Sequence, residues 1–270
     1  MLRSLWTAAS GMKSQQMYVD SIAHNLANVN TTGFKKESLE FKSLLYATLR
    51  ESGTDENGNG SPVSLQLGHG VRASANVKNF SQGSLQMTGN SLDFALEGDG
   101  FFAVQDLNGE PIYTKDGSFK LSVTEDATRL VTTDGYFVLN TDGEPVEFDL
   151  NFNAEKLVVD NNGGLGYMNE EGVEDLGVTI GIVQFRNVAG LDSVGGNFYK
   201  TTTASGEALY EFDDEELKQS KLIQGALEAS NVQVVDEMVK MIVAQRAYEL
   251  SSKAIQTSDD MLGLANNLKR

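Results

Sequence analysis

The segment Ala23–Lys36, AHNLANVNTTGFKK, marks a change of pattern in this chain. Three asparagines crowd the end of a stretch that otherwise reads as a helix, and a Gly-Phe pair and two lysines follow at once. Asn28 or Asn30 can tolerate left-handed backbone at a helix end, and Gly33 permits a sharp turn. Phe34 then offers an apolar anchor. We interpret the segment as a hydrogen-bonding corner that contacts neighbouring copies of the chain.

Two stretches with helical periodicity lie at the ends of the chain, and each carries an apolar seam at spacings of three and four residues. Ser230 or Asn231 is a plausible N-cap of the second helix. The two helices could simply pack together inside a monomer. Many seam positions are alanine, however, so a lone pair would bury little area and would gain from further helices around it. We therefore predict an assembly interface formed by Leu2, Leu5, Ala9, Met12, Val19, Ala23, Leu26, Asn28, Gly33, Phe34, Val239, Val243, Arg246, Ala247, Leu250, Ala254, Met261 and Leu268.

The middle of the chain follows the pattern of β-structure. SLDFALEGDGFFAVQD, from Ser91 to Asp106, alternates apolar residues and turns at a Gly-Asp-Gly. Asn108-Gly109 is a strong two-residue hairpin signal. Asp-Gly pairs follow at 116, 134 and 142, and a later strand is predicted over Val178–Phe185. Short strands at this spacing predict an antiparallel, all-β domain.

The predicted fold class is therefore α+β, with N- and C-terminal α-helices forming a coiled-coil-like helical domain around a central antiparallel all-β domain. All three prolines and most of the 27 glycines lie between the predicted helices, which supports this division. The predicted boundaries are 1–50 for an N-terminal helical assembly segment, 51–85 for a linker, 86–205 for the β domain, 206–223 for a return connection, and 224–270 for a C-terminal helix that packs with 1–35.

Charge is distributed unevenly along the chain. The net charge is −17, yet residues 1–50 carry +3, residues 221–270 are neutral, and residues 51–220 carry −20. A strongly acidic middle keeps copies in solution and disfavours nucleic acid as a partner. The ends lack this repulsion and can approach one another.

Residues that could perform catalysis are sparse. The chain has no cysteine, which excludes disulfides, thiolate nucleophiles and cysteine-ligated metals. Its two histidines, His24 and His69, form no acid–base or metal cluster in the sequence. The Asp-Gly pairs lack the spacing of a calcium loop and are explained by turn chemistry. We predict no catalytic residue, cofactor or metal site. An acidic β-domain calcium-binding adhesin or carbohydrate-active enzyme is the alternative of a different class.

The sequence also carries signals about its location. No apolar run approaches the roughly 20 residues of a membrane-spanning helix, so we expect no membrane insertion. The apolar run at the start of the chain is too short for a secretory signal. We therefore expect either a cytosolic protein or export without a cleaved signal peptide.

SIAHNLANVNTTGFKK, together with the segment Gln224–Leu262, closely resembles the N- and C-terminal signatures of the flagellar rod and hook family. GDGFFAV, YTKDGSF and LVTTDGYFVL resemble its central domain. The opening SLWTAASGM and the segment LLYATLR…LQLGHGVR favour a subunit of the distal rod. A hook or a proximal rod subunit is the alternative within the family. One departure is His24, where the family commonly has asparagine.

This resemblance implies a non-enzymatic structural subunit that polymerises into a helical tube, transmits torque to the hook and lets exported flagellar proteins pass. The implied partners are further copies of the chain, proximal rod proteins, the hook protein, surrounding ring proteins and the flagellar type III export gate. Phe41 and Leu45 match the family's export signal, although an amphipathic turn would also explain them. The implied location is the basal body outside the cytoplasmic membrane. A rod-specific segment is expected near residues 51–61, with Pro62 and Ser64–Arg72 as candidates.

Overall fold

The computed structural model describes residues 2–50, 53–54, 60–61, 63–124, 127–150, 152–160, 163–169, 172–212 and 217–268. The chain divides into two compact units. The first, here called the helical unit, comprises residues 1–27, 37–77 and 233–270. The second, the β unit, comprises residues 28–36 and 78–232. The short segment 28–36 therefore belongs to the β unit, although the helical unit flanks it in sequence.

The helical unit contains both long helices and the first six strands. Its elements are α1 (Leu2–Ala27), β1 (Glu37–Ser43), β2 (Tyr46–Arg50), β3 (Gly53–Thr54), β4 (Gly60–Ser61), β5 (Leu65–Gly68), β6 (Val71–Lys78) and α2 (Val234–Asn267). The helices run antiparallel, because Ser4 meets Ser258 at one end of the pair and Asn25 meets Glu237 at the other. Strand β1 pairs with β6, β2 with β5, and β3 with β4.

The β unit contains the remaining strands and two short 3₁₀ helices, Ala154–Lys156 and Val188–Gly190. Its strands are β7 (Leu85–Met87), β8 (Phe94–Glu97), β9 (Phe101–Gln105), β10 (Pro111–Thr114), β11 (Lys120–Val123), β12 (Thr128–Val131), β13 (Phe137–Val138), β14 (Glu147–Phe148), β15 (Leu157–Val159), β16 (Gly164–Asn169), β17 (Gly172–Thr179), β18 (Ile182–Gln184), β19 (Asp192–Gly195), β20 (Phe198–Lys200), β21 (Leu209–Tyr210), β22 (Lys221–Gln224) and β23 (Ala226–Glu228).

A ten-stranded sheet forms the body of the β unit. Its main path runs β11-β12-β13-β9-β10-β20-β19, with β14 beside β12 and β18 between β9 and β21. Strands β15, β16 and β17 form a second, antiparallel sheet. Strand β22 pairs with β8, and β23 pairs with β7. Together with the two terminal helices, this arrangement confirms the α+β class, with mostly β content between the helices.

Strand β9 is the centre of the β unit because both of its faces are buried. Phe102 and Val104 belong to one hydrophobic core. Phe101 and Ala103 belong to a second core on the other face, since successive side chains of a strand alternate. This explains why Phe101–Gln105 is an almost continuous apolar run rather than an alternating one.

The turn signals in the middle of the chain are confirmed. Asn108-Gly109 connects β9 to β10 as an antiparallel hairpin, and Gly109 has a φ of 84°. Gly135 and Gly143 also have positive φ, at 88° and 80°, in the turns that follow β12 and β13. These Asp-Gly pairs therefore act as turns, as their chemistry predicts.

Several predicted boundaries differ from the structure. Residues 37–50 form strands β1 and β2 instead of extending a helical segment. The strand predicted over Val178–Phe185 is interrupted, because β17 ends at Thr179 and β18 begins at Ile182; between them Gly181 N donates to the carbonyl oxygen of Leu139 at 2.8 Å. Within the predicted linker, residues 51–85, the positions 51–52, 55–59 and Pro62 lie outside the described residues, and strands β5 and β6 follow Pro62.

We predict that Gly117→Ala destabilises the β unit. A Cβ at this position would lie 1.8 Å from the carbonyl oxygen of Phe94, so the backbone would have to move. Overpacking of this kind costs about 1–3 kcal/mol of unfolding free energy. Urea unfolding measures the change.

Gly164→Ala is the matched control for this prediction, because its added Cβ would come no closer than 3.9 Å to another atom. Equal stability of both variants would contradict the packing argument.

Candidate functional site

Helices α1 and α2 contact each other through small and polar residues as well as apolar ones. The buried residues of the two helices are Ser14, Ile22, Asn25, Glu237, Ala244 and Ser258. A Cβ at Gly11 of α1 would lie 3.4 Å from Ser251 Oγ of α2, so the helices approach closely there. Tyr18 of α1 packs edge-on against Phe41 of β1, with ring centroids 5.7 Å apart.

The predicted seams only partly coincide with this contact face. Exposed positions are Ala9, Ala23, Val239, Val243, Arg246, Leu250, Ala254, Met261 and Leu268, whereas Leu5, Met12, Val19, Leu26, Asn28 and Ala247 are half-buried. The side chain of Leu2 lies outside the described residues. The structure thus contains a helix pair, but its contact face is rotated from the predicted seams by about one residue. Small side chains at Gly11 and Ser14 allow that face to approach α2.

Because of this rotation, α2 presents a large apolar surface that no described residue of the helical unit covers. In its first turns, Val235 is 73% exposed, Val239 55% and Ile242 57%. Met238 and Val243 lie beside them and are also exposed. We call these five residues the α2 apolar face. A helix that is apolar on several sides normally lies inside a larger packed structure.

The corner at residues 28–36 is tied firmly into the β unit. Gly33 has a φ of 66°, and a Cβ there would lie 2.7 Å from the backbone nitrogen of Asp116. Its N–H donates to the carbonyl oxygen of Glu228 at 2.8 Å. Asn197 Nδ2 donates to the carbonyl oxygen of Thr32 at 2.9 Å. Glycine is therefore required here both by the backbone conformation and by the close approach.

Phe34 is only 3% exposed and is buried in its own chain. This placement does not support the prediction that its ring is an anchor for a neighbouring copy. A phenylalanine ring that is buried within its own chain contributes to the folding of that chain.

The residue after Phe34 in the sequence, Lys35, forms a buried ion pair with Glu228. Lys35 Nζ lies 2.6 Å from Glu228 Oε1, and both side chains are 1% exposed. Lys35 Nζ also donates to the carbonyl oxygen of Ser81 at 3.0 Å, and Gly83 N donates to Glu228 Oε1 at 2.7 Å. These added hydrogen bonds are what make a buried pair tolerable, since two bare charges would be costly to desolvate.

Asn231 completes the corner and is not the predicted N-cap. Its Oδ1 accepts a hydrogen bond from Lys36 N at 2.8 Å, and its Nδ2 donates to the carbonyl oxygens of Asn79 and Ser81. Helix α2 begins three residues later, with Gln233 at the cap position and no side-chain cap bond. The side-chain amide of Asn231 is therefore used in tertiary hydrogen bonds and does not cap α2.

A second buried lysine, Lys115, lies near the ion pair. Its Nζ donates to the carbonyl oxygen of Gly98 at 2.7 Å and stands 5.1 Å from the ring centre of Phe101. Burial, reinforced by the positive charge of Lys35, lowers the pKa of Lys115 to about 8, and the charge of Glu228 opposes the shift. Lys115 was not identified from the sequence, which marks it only as one polar residue before an Asp-Gly turn.

The remaining sequence candidates form no catalytic arrangement. His24 is exposed on α1, and His69 Nδ1 lies 3.0 Å from the carbonyl oxygen of Leu45. Among the described residues, no group of three or more His, Asp or Glu side chains is placed to hold a metal ion. Neither described helix is long and apolar enough to cross a membrane.

We predict that Phe34→Ala lowers the unfolding free energy of the β unit by about 3–5 kcal/mol, because it leaves a cavity in place of a buried ring. Denaturant unfolding monitored by near-UV circular dichroism measures this change. Val123→Ala, at a site that is 69% exposed, is the control and should change stability little. A normal β unit in Phe34→Ala would restore the interpretation of Phe34 as an intermolecular anchor.

We predict a distinctive pH dependence for Lys115→Met. The folded chain releases the Lys115 proton near pH 8, whereas the unfolded chain holds it to its ordinary value of 10.5. In this window the unfolded state binds more protons, so the stability of the parent rises with pH. The unfolding free energy of the parent, measured relative to that of Lys115→Met, should rise by about 3 kcal/mol between pH 8 and pH 10.5.

Unfolding free energies measured at several pH values test this expectation, and the exposed Lys120→Met is the control. Tyr113, whose pKa burial raises to about 12, is present in every variant and cancels in the difference. If the difference in unfolding free energy between the parent and Lys115→Met did not change with pH, the lowered pKa of Lys115 would be refuted.

Comparison with known proteins gives a consistent result along the chain. Residues 5–35 match the family described as flagella basal body rod protein, residues 95–167 match the flagellar hook protein FlgE/F/G D1 domain, and residues 223–268 match the flagellar basal body rod FlgEFG protein C-terminal family. The matches include the corner segment, the central sheet and α2.

Full-length relatives agree with these matches. The chain is 46% identical to the flagellar basal-body rod protein FlgG of Borreliella burgdorferi, with 100% of both chains covered. It is 38% identical to FlgG of Bacillus subtilis, again over 100% of both chains. FlgG of Caulobacter vibrioides is 37% identical over 99% of this chain and 100% of its own. The chain therefore belongs to the FlgG family of flagellar basal-body rod proteins and is a structural rod subunit.

Proposed function

We propose that this chain polymerises into the helical tube of the distal rod, transmits torque towards the hook and leaves a central passage for exported flagellar proteins. The observation that carries the proposal is the α2 apolar face. It offers several large apolar side chains to solvent in one chain, although each would gain about 1.5–3 kcal/mol from burial. Full-length agreement with FlgG proteins supports the rod over the hook.

Further copies of the same helices are the partners that this surface fits. The exposed positions Val239, Val243, Arg246, Leu250 and Ala254 of α2 follow one another at spacings of three and four residues, which suits knobs-into-holes packing between several helices. The coiled-coil packing predicted from the seams would then form between subunits, in the inner wall of the tube. Within the single chain, the rotated contact face leaves most seam positions of α2 exposed and those of α1 largely half-buried.

The β2–β5 hairpin supplies a second surface for neighbouring copies. It carries Tyr46, Leu49, Leu65 and Leu67, all more than a third exposed. The two strands pair antiparallel, with Ala47 opposite Leu67. We assign the role of the expected rod-specific segment to this hairpin, which includes part of Ser64–Arg72.

The acidic β unit would face outward in such a tube, where like charges keep completed rods apart. Proximal rod proteins and the hook protein would bind at the two ends of the rod, and ring proteins would surround it. This places the polymer in the basal body, outside the cytoplasmic membrane.

Export through the flagellar type III gate fits the position of the predicted signal. Leu45 is 88% exposed, and Phe41 is 37% exposed beside the ring of Tyr18. Phe41 lies in β1 and Leu45 in the connection to β2. We propose that the gate reads these residues before the chain folds.

Ile242→Asp combined with Val239→Asp tests the proposal. Both residues are exposed in the single chain, so folding should change by less than about 0.5 kcal/mol for each. Polymerisation should require at least about tenfold more protein, because charges would be desolvated at the subunit contact. Sedimentation and electron microscopy of the polymer are the measurements.

Val123→Asp is the matched control, since it replaces another exposed valine with a charge outside α2. Its polymers should form at the parental concentration. Unchanged polymerisation of the double variant would refute the assignment of the α2 apolar face to assembly.

A further inference from the structure

Asn25 and Glu237 form a buried polar network within the helix pair. Both residues are 1% exposed. Asn25 Nδ2 donates to Glu237 Oε2 at 3.2 Å, which connects α1 to α2. Lys240 Nζ donates to Glu237 Oε1 at 3.0 Å from one turn further along α2.

The same asparagine also connects α1 to β1. Its Nδ2 donates to the carbonyl oxygen of Glu37 at 2.8 Å, and Glu37 N donates to Asn25 Oδ1 at 2.9 Å. The amide therefore uses its donors and its acceptor on two different elements. Such a set of partners can be satisfied in only one relative position of α1, α2 and β1.

Apart from Ile22, the helix contact away from this network provides little information about register. It is lined by small residues, including Gly11, Ser14, Ala244, Ser251 and Ser258. Small side chains interdigitate little with the facing helix. Registers that differ by one turn therefore bury similar apolar area. The hydroxyls of Ser4 and Ser258, 3.3 Å apart, can find other partners or water after a shift.

We propose that the Asn25–Glu237 contact sets the register of the two terminal helices. A shift by one turn, about 5.4 Å, would separate the Asn25 amide from Glu237 Oε2 and leave that buried carboxylate oxygen without its donor. A buried asparagine that fixes the register of paired helices is a known physical device, which lowers stability while excluding alternatives. Hydrogen bonds to charged groups are strong enough to favour one register by about tenfold or more.

Disulfide trapping measures this register, and the absence of cysteine removes any background. The in-register probe is Ser4→Cys with Ser258→Cys. The shifted probes are Ser4→Cys with Ile255→Cys and Ser4→Cys with Leu262→Cys, which lie about one turn away in either direction. A disulfide needs Cβ atoms about 3.5–4.5 Å apart, so each probe reports one register.

In the otherwise unchanged chain, the in-register probe should be trapped at least about tenfold more than either shifted probe. In Asn25→Leu with Glu237→Leu, both network partners become apolar and the ratio should fall to within about twofold. An unchanged ratio in the double variant would overturn the proposal. Circular dichroism must show that the double variant still contains both helices. If it does not fold, Asn25→Ala is used, with the same expected loss of preference.

Two controls separate a register role from a general loss of stability. Glu237→Gln keeps an acceptor for the Asn25 amide but removes the charge, so its ratio should lie between those of the parent and the double leucine variant. Ser14→Ala removes another buried polar group of α1 and should retain the parental ratio. A loss of preference in Ser14→Ala equal to that in the double leucine variant would likewise overturn the proposal.

The consequence for the rod rests on the proposed function, because a single register would give every subunit helices with the same offset. Trapping is carried out on the free full-length chain and on its polymer. Links within one chain shift the monomer band, whereas links between copies produce dimers. Failure of polymerisation with an intact trapping ratio would count against the proposed tube and leave the register assignment standing.

Discussion

The buried ion pair between Lys35 and Glu228 is the interaction on which the β unit depends. It joins the segment through which the chain enters this unit, residues 28–36, to the strand through which it leaves. Because both side chains are 1% exposed, removing either one would leave a charge without compensation in the interior. Gly33 and Asn231 add backbone and side-chain hydrogen bonds to the same junction. A conspicuous sequence motif thus serves the fold of the subunit itself.

The helical unit follows a different principle, since its apolar surface exceeds what one helix pair can cover. Helices α1 and α2 contact each other through small and polar residues, and the α2 apolar face remains exposed. A polymer would bury this surface in proportion to the number of neighbours that each helix gains. The polar network at Asn25 and Glu237 adds specificity where apolar packing is permissive. The apolar residues would therefore supply the strength of helix association, whereas the polar network supplies its specificity.

Local rules predicted much of the β unit. The Asn108-Gly109 hairpin and the turns at Gly135 and Gly143 lie where backbone chemistry requires them. The same rules failed where distant residues compete. Asn231 has the chemistry of an N-cap, yet it bonds to Lys36, Asn79 and Ser81, which are far from it in sequence.

By itself, the sequence determined the family, the two terminal helices, the β-rich middle and the division of charge. Each of these depends on periodicity, turn residues or composition, which are local properties. Only the tertiary structure decided which face of each helix is covered, that Phe34 is buried in its own chain, and that Lys115 lies beside Lys35 and Glu228. Burial is a property of contacts between distant segments. A heptad pattern can therefore show that a helix has an apolar face, but not which element covers that face.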